Sequence, residues 1–264
     1  MLQEKLSALD DRSHYAQLCN ILDQSIKSYS IQEKVSTSYS SIVERFSHFN
    51  FMHSFSQQEK ELFFNHIKIK HYFKGQTIYK REEECYDILF ILKGTVKMAW
   101  NTESGKHVIH RFLPSGILLN IVYIMSDTLL EHDYIAHEAT EVAVISGDVF
   151  KTLLQKNSKA LYQVFEMVCK RARLLDNDIY HQNTQELKVQ LARQLVYLVE
   201  YFSSQSQKIV KLNIKVSQEN FAELLKTSRK SIKKELDWFV DEGIIETKYN
   251  QIYVINFERL KTII

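Results

Sequence analysis

The hydrophobic pattern of the chain changes abruptly at Gly147, and this change limits the possible folds more than any other feature. Before it, from Gly75 onward, the apolar runs are short, rich in β-branched and aromatic residues, and separated by glycines. In TVKMAW three apolar residues alternate with polar or small ones, as on a strand with one buried face. These residues are Val96, Met98 and Trp100. The pattern predicts an antiparallel β-roll or barrel, which we assign to residues 56–150.

Two apolar series that repeat every seven residues follow Gly147. Their spacing is that of the contact positions of a coiled-coil helix. For its first turns, a helix packed along its own β domain is an equal alternative, whereas the narrow apolar stripe of residues 171–178 favours a seam between two helices. The sequence thus predicts a dimerisation helix within residues 151–184, and a homodimer. We call the two series the dimer seam: Leu161, Phe165, Val168, Ala172, Leu175 and Ile179.

The remaining residues, 185–264, predict a winged helix-turn-helix. A helix over about residues 185–202 precedes the polar loop SSQSQ. Ser217 is suited to cap a short helix that ends at a break around Lys226, and a second helix with an apolar stripe follows. The stripe consists of Ile232, Leu236, Phe239 and Val240. Two strands around residues 249–251 would form the wing, so the whole chain is predicted to be α+β.

The placement of charge points to nucleic acid, although the formal net charge is only +2. Five basic residues and no acidic one lie between Lys226 and Lys234, at the start of the second helix of the pair. In helix-turn-helix proteins that end of the helix meets base edges and phosphates of double-stranded DNA. The alternatives are a merely solvated face, or a sensory or scaffold dimer whose winged helix docks a protein. The candidate DNA-binding residues are Ser217, Gln218, Lys226, Thr227, Ser228, Arg229, Lys230, Ser231, Lys233 and Lys234.

Other classes of protein are disfavoured. Three widely separated cysteines support neither a disulfide framework nor a thiolate metal site. A cupin-like metal enzyme is disfavoured because the spacing of His107 from His110, and of His132 from His137, is odd, which on regular strands puts each pair on opposite faces. We therefore expect no metal, no cofactor and no enzymatic activity. The charged N-terminus and the absence of a long apolar run predict a cytoplasmic protein without membrane association.

From about Ser56 onward the chain resembles the Crp/Fnr family of bacterial transcription regulators. Three stretches carry the resemblance in order: YDILFILKGTVKM, TEVAVISGDVFKTLLQKN and SQENFAELLKTSRKSIKKEL. The resemblance implies a dimeric regulator with an N-terminal sensory roll, a long dimer helix and a C-terminal winged helix-turn-helix. It also implies RNA polymerase as a partner at promoters.

The segment GILLNIVYIMSDTLLEHDYIAH departs from the members of that family that bind cyclic nucleotides. Those members carry a Gly-Glu pair that holds the ribose and an Arg-Ser pair that holds the phosphate. Here Asn120 and its neighbours offer no carboxylate, and Glu131, His132 and Asp133 occupy the region of the Arg-Ser pair. We therefore predict that cyclic AMP does not control this protein. An iron–sulfur centre is disfavoured because Cys19 alone stands in the N-terminal region, and no ligand pair for haem is present.

The corresponding pocket region is mostly apolar. Its side chains either fill the roll, which is the simpler interpretation, or form a site for an apolar or other organic effector. The candidate pocket residues are Leu118, Leu119, Asn120, Ile121, Tyr123 and Tyr134.

The resemblance also divides the basic residues by role. Arg229 matches an arginine that reads bases near the start of the recognition helix, and its planar fork suits guanine. Lys230 stands where the family often has a glutamate, so the preferred half-site should differ from that of the cyclic AMP receptor protein. Lys226, Lys233 and Lys234 are point charges suited to phosphates.

Residues 1–55 are extra to the family pattern. Their apolar periodicity predicts a docked helical arm whose role is open. Its apolar positions are Leu18, Leu22, Ile26, Ile42, Val43 and Phe46.

Overall fold

A computed structural model describes residues 42–102, 107–203, 209–248 and 251–264. The chain divides into a unit Met1–Arg45 and a compact unit Phe46–Ile264. Most of the predicted helical arm, including Leu18, Leu22 and Ile26, lies outside the described residues.

Two four-stranded antiparallel sheets form the roll. Their strand orders are β1-β8-β3-β6 and β2-β7-β4-β5, so each sheet combines strands from both ends of the domain. The prediction of an α+β chain with an antiparallel β-roll is confirmed. The strands are β1 Lys68–Tyr72, β2 Thr77–Tyr79, β3 Asp87–Lys93, β4 Val96–Asn101, β5 His107–Leu113, β6 Leu118–Leu119, β7 Asp133–Ala136 and β8 Thr140–Ser146.

Strand β3 is central and buried on both faces. Leu89 and Ile91 lie in the roll interior with Val142 and Val144 of β8. Phe90, on the opposite face, lies within a cluster of phenylalanine rings whose pairs are mostly edge-to-face, an arrangement that adds to the free energy of burial. The cluster comprises Phe46, Phe49, Phe51, Phe55, Phe63, Phe64, Phe90 and Phe150.

Residues 46–55, assigned to the extension from sequence, supply four rings of this cluster and pack with the roll. They include a 3-10 turn, Asn50–Ser54. Helix α1, Gln57–Asn65, follows and begins with a capping box between Ser56 and Glu59. The compact unit begins at Phe46, whereas the sequence analysis begins the roll domain at residue 56.

The pairing of β4 with β5 contains a β-bulge. Met98 pairs with Arg111 and Ala99 with Ile109, so His110 is the extra residue on β5. Ala99 is fully buried, whereas Met98 and Trp100 are half-buried. Strand β4 itself pairs with β7 without interruption from Val96 to Ala99, and Val96 and Met98 lie in the same apolar cluster. The bulge instead reverses the side-chain alternation of β5 at His110.

Helix α2, Ile121–Ser126, lies within the roll between β6 and β7. After β8 come α3 Gly147–Lys156, α4 Ser158–Thr184 and α5 Leu187–Phe202, and α5 packs in the core of the C-terminal domain. Gly147 is required because a Cβ there would lie 2.9 Å from side-chain atoms of Ile124. Helix α4 is separated from α3 by Asn157, whose Oδ1 accepts from Ala160 N at 2.9 Å. None of the helices in the described ranges is both long and apolar enough to cross a membrane.

The C-terminal domain contains β9 Val210–Lys211, α6 Gln218–Leu224, α7 Arg229–Asp241, β10 Ile245–Lys248, β11 Gln251–Val254 and α8 Phe257–Lys261. Strands β10 and β11 form the predicted wing, and β9 adds a third strand beside β11. The core of this domain continues into the roll, because Ile109 and Phe112 of β5 belong to the same buried cluster as Leu195, Phe221 and Phe239.

Candidate nucleic-acid interface

Helix α6 is capped at its N-terminus by two side chains that lie three residues apart in the sequence. Ser217 Oγ accepts from Asn220 N at 3.1 Å, and Ser217 N donates to Asn220 Oδ1 at 3.3 Å. This reciprocal cap satisfies backbone groups that would otherwise lack partners in the first turn. Phe221 and Leu224 then fix the helix in the domain core.

The break between α6 and α7 is built on Lys226. Its φ of 53° lies in the left-handed region, which ends α6 and redirects the chain. Thr227 N donates to Ala222 O at 3.0 Å and closes the turn. Lys226 thus exposes its ammonium group at the corner of the helix pair.

Helix α7 begins with a second serine cap. Ser228 Oγ accepts from Ser231 N at 3.0 Å, and the first turn contains no acidic residue. Ile232, Leu236 and Phe239 are buried, whereas Val240 is 39% exposed, so the predicted stripe is wrong at its last position. Val240 lies one residue beyond Phe239, and the 100° turn of the helix carries it to the rim.

Most of the predicted DNA-binding side chains share one exposed surface. The exposed ones are Lys226, Ser228, Arg229, Lys230, Lys233 and Lys234, whereas Ser217, Gln218, Thr227 and Ser231 are half-buried. Arg229 Nε donates to Gln218 Oε1 at 3.4 Å, which links the two helices at this surface. Lys233 Nζ pairs with Asp237 Oδ2 at 3.0 Å, an exposed pair one helical turn apart. The surface combines a helix N-terminus with clustered cations, and both favour an anionic partner.

The dimer seam lies on α4, which is about 40 Å long at 1.5 Å per residue. Ala160 and Val164 are buried against the same chain, but the seam residues Leu161, Phe165 and Ile179 are 43%, 60% and 60% exposed. The first turns of α4 therefore use two adjoining faces, one packed on the chain and one open. Such a row of open apolar side chains is unusual on a monomer.

Five of the predicted effector residues lie where β6 leads into α2, and the sixth, Tyr134, lies on β7. Leu118, Leu119, Asn120, Ile121 and Tyr134 are buried, and Tyr123 is half-buried. Asn120 has a left-handed φ of 70°, and its Nδ2 donates to Asp87 O at 3.0 Å. Tyr123 Oη lies 3.1 Å from His132 Nδ1.

An aromatic cluster on the second sheet was missed from sequence. The rings of His110 and His132 stack with centroids 5.3 Å apart, and Trp100 contacts both. Burial, together with weaker repulsion from His132, Arg111 and Lys226, lowers the pKa of His110 to about 4. The odd-spacing argument against metal ligands does not apply at His110, because the bulge breaks the regular strand. Even so, within the described residues no three His, Cys, Asp or Glu side chains group as a metal site.

A second missed group connects β5 with α4 and α5. Arg111 pairs with Asp178 of α4, and its guanidinium lies 4.7 Å from the ring centroid of Tyr197. Tyr197 Oη donates to Phe112 O at 2.7 Å. These side chains come from segments far apart in sequence, so no local pattern could have indicated them.

Comparison with known proteins places this geometry in context. The family described as "Cyclic nucleotide-binding domain" matches residues 69–157, and the "Crp-like helix-turn-helix domain" matches residues 189–263. The transcriptional regulator LdrP of Thermus thermophilus is 25% identical over 201 residues, which cover 73% of this chain and 95% of LdrP. The cAMP-activated global transcriptional regulator CRP of Salmonella typhimurium is 22% identical over 195 residues, or 74% of this chain and 92% of CRP.

Solved structures with a similar fold include a CRP-family transcriptional regulator from Thermus thermophilus, with a TM-score of 0.62 and 22% identity. The match covers 74% of this chain and 95% of that one. FixK2 from Bradyrhizobium japonicum has a TM-score of 0.65 and 15% identity, with coverage of 75% and 96%. The two family matches, over residues 69–157 and 189–263, include most of the roll, α7 and the wing.

Proposed function

Since this chain belongs to the Crp/Fnr family of transcription regulators and carries its helix-turn-helix DNA-binding domain, we propose that it acts as a homodimer on an inverted repeat, without control by cyclic AMP. Its relatives are regulators rather than enzymes, in agreement with the expectation of no catalytic activity. On DNA it would act with RNA polymerase, as the family resemblance implies.

The exposed basic start of α7 is the observation that carries the DNA proposal. Arg229 and Lys230 project beside the Ser228 cap, and Ile232 and Phe239 hold the opposite face of the helix in the core. Because α7 is held by its apolar face and its cationic N-terminal face is exposed, the helix can enter a major groove without a change in the fold. We assign base readout to Arg229, because its planar fork can bond guanine O6 and N7 together.

Lys226 and Lys234 are assigned to phosphates, because ammonium groups hold register without reading sequence, whereas Lys230 lies at a position that should alter the preferred half-site. Lys233 is shared with Asp237 and would have to leave that pair to reach a phosphate. Its contribution to binding should therefore be smaller than that of Lys234.

The open seam on α4 supports the homodimer. Two copies of this helix packed in parallel would bury Phe165 and Ile179 and bring two α7 helices onto one face of the duplex. Half-site centres would then lie about one turn, ~34 Å, apart.

Independence from cyclic AMP rests on the chemistry of residues 117–137. Asp133 Oδ1 accepts from Arg81 N at 2.8 Å, and His132 bonds to Tyr123, so this region presents a carboxylate and a neutral ring. The cyclic phosphate would meet no guanidinium from this segment. The buried Leu118 and Ile121 support the interpretation that the apolar residues fill the roll, and an organic effector stays the alternative.

Selection from random duplexes tests the DNA proposal. We expect an enriched inverted repeat, with affinity that falls steeply with salt. A lone half-site, or no enriched sequence, would contradict the dimer model. Adding cyclic AMP should change neither the affinity nor the selected sequence, whereas specific calorimetric binding of cyclic AMP would overturn that part of the proposal.

A further inference from the structure

A crevice of about 380 Å³ lies between the roll and the winged domain. One wall comes from the loops that follow β1 and β7, and the other from β9, the loop after it and the start of β11. The volume lies in the range of small-molecule sites. We call it the lysine crevice; it is lined by Lys74, His137, Glu138, Lys211, Leu212, Asn213, Lys215 and Gln251.

The charges in the lysine crevice are unbalanced. Lys74, Lys211 and Lys215 face a single carboxylate, Glu138, and Glu138 Oε1 already accepts from Thr95 Oγ1 at 2.6 Å. Across the described part of the chain, none of the three ammonium groups has a carboxylate within ion-pair distance. Three cations that share one recess repel each other, and a bound anion would relieve that repulsion.

The frame of the crevice is held by specific hydrogen bonds. His137 Nε2 donates to Lys215 O at 2.8 Å and connects the two walls. The buried Gln251 donates through Nε2 to Leu212 O, which fixes the start of the wing against the loop after β9. Lys211 and Lys215 therefore project from backbone that is held in place.

We propose that the lysine crevice binds a small compound with more than one phosphate charge, which contacts the roll through Lys74 and the winged domain through Lys211 and Lys215. Ammonium groups bind phosphate as point charges, and the amides of Asn213 and Gln251 line the same recess. A ligand held by both walls favours the arrangement in which roll and wing are docked. It thereby influences DNA binding from a site other than the α7 surface.

The same phosphate chemistry is available from the DNA backbone, and Lys74 separates the two sources. Lys74 belongs to the roll and lies across the crevice from the winged domain. A free compound needs Lys74 together with Lys211 and Lys215. DNA that contacts only the winged domain would need Lys211 and Lys215 but not Lys74.

Calorimetry with pyrophosphate, on the full-length protein without DNA and at constant ionic strength, tests the proposal directly. We expect one site per chain, and about a tenfold loss of affinity for each of Lys74→Gln, Lys211→Gln and Lys215→Gln. Lys68→Gln and Lys151→Gln, which remove roll and helix lysines outside the crevice, are the matched controls and should bind as the wild type does. Absence of saturable binding, or equal losses in the controls, would overturn the proposal.

A second readout uses His137, whose pKa is lowered by burial and, more weakly, by Lys97 and Lys74. Pyrophosphate in the crevice should raise that pKa in an NMR titration, and Lys74→Gln should abolish the effect. In parallel, duplex affinity is measured without pyrophosphate. In one outcome, Lys211→Gln and Lys215→Gln each reduce the slope of log affinity against log salt concentration by about one unit, and pyrophosphate does not bind. The crevice lysines would then contact DNA phosphates, and the proposal would fail. Because the calorimetry contains no DNA, its outcome does not depend on the proposed regulator function.

Discussion

At the scale of single residues, the main departure from a regular strand is the bulge at His110. The extra residue turns its ring onto His132 and toward Lys226, so the imidazole is enclosed by an aromatic ring and cations. Its Nδ1 is buried without a hydrogen-bond partner among the described residues. This environment disfavours the protonated form of the ring.

The lowered pKa of His110 predicts a loss of stability in mild acid. The native pKa of about 4 lies below the unfolded value, ~6.5, so between these values the unfolded chain binds more protons. The free energy of unfolding should therefore fall by about 2 kcal/mol between pH 7 and pH 5 on account of this residue. Urea unfolding at both pH values measures the fall.

His110→Gln should remove most of that fall. A smaller pH dependence should remain, because burial also lowers the pKa of His132. The exposed His53→Gln is the control and should keep the wild-type dependence. An unchanged pH dependence in His110→Gln would show that the ring is not confined as described.

Arg229→Lys separates charge from geometry at the DNA-reading surface. The ammonium retains the charge but not the fork, so the salt dependence of binding should stay while discrimination at one base pair is lost. We expect about 1–3 kcal/mol weaker binding to the selected site and little change on random DNA. Lys234→Ala should weaken both by similar factors, and the reverse pattern would mean that a different edge of α7 faces the bases.

At the scale of secondary-structure elements, α4 has two apolar faces: one packs against its own chain, and the other is the dimer seam. Ala160 and Val164 anchor it to its own chain, and Asn157 Nδ2 ties its start to Ser54 O at 2.9 Å. The dimer seam faces outward along the remaining length. A heptad repeat in the sequence reveals the seam, but the anchoring face depends on residues about 100 positions earlier.

Phe165→Glu should separate the proposed dimer into monomers, because a carboxylate placed on both sides of the seam would be buried beside its like charge. Sedimentation velocity measures the change, and DNA affinity should fall with it. Asn177→Asp adds the same charge on the exposed flank of α4 and should leave the dimer intact. A dimeric Phe165→Glu protein would show that the seam is not the interface.

Local sequence pattern was enough for the elements whose contacts are local. The cap of Ser217, the α7 stripe up to Phe239 and the two wing strands follow from spacing alone. Strand β9 is only two residues long, and the bulge at His110 arises from its pairing with β4, so neither leaves a readable period. The lysine crevice combines segments more than 70 residues apart, and charge patterning along the chain does not reveal it.

At the scale of the whole molecule, the roll and the winged domain share a buried cluster. Ile109 and Phe112 of β5 are 1% exposed and pack with residues of α5 and α6. The hydrogen bond from Tyr197 to Phe112 O and the stacking of Arg111 on Tyr197 lie at the edge of this contact. A change in the packing of β5 should therefore alter the packing of α6 directly.

Phe112→Ala should loosen the winged domain although the substitution lies in the roll. Removing a buried phenylalanine costs about 3–5 kcal/mol, and here part of that loss falls on the contact with α6. Native-state hydrogen exchange should show faster exchange of α6 amides in this variant. Phe63→Ala removes an equally buried ring within the phenylalanine cluster and should leave α6 protected. Equal effects of the two variants would mean that β5 carries no coupling.

The shared cluster also bears on how such a protein can diverge. A winged domain inherited by recombination from a relative would meet Ile109 and Phe112 with a surface shaped for another strand, and would lose part of its core. Point substitutions on the exposed face of α7 carry no such penalty, since Arg229 and Lys230 contribute nothing to that core. New operator preferences should therefore arise from a few substitutions on the exposed face of α7, whereas substitutions in β5 and α6 should occur together.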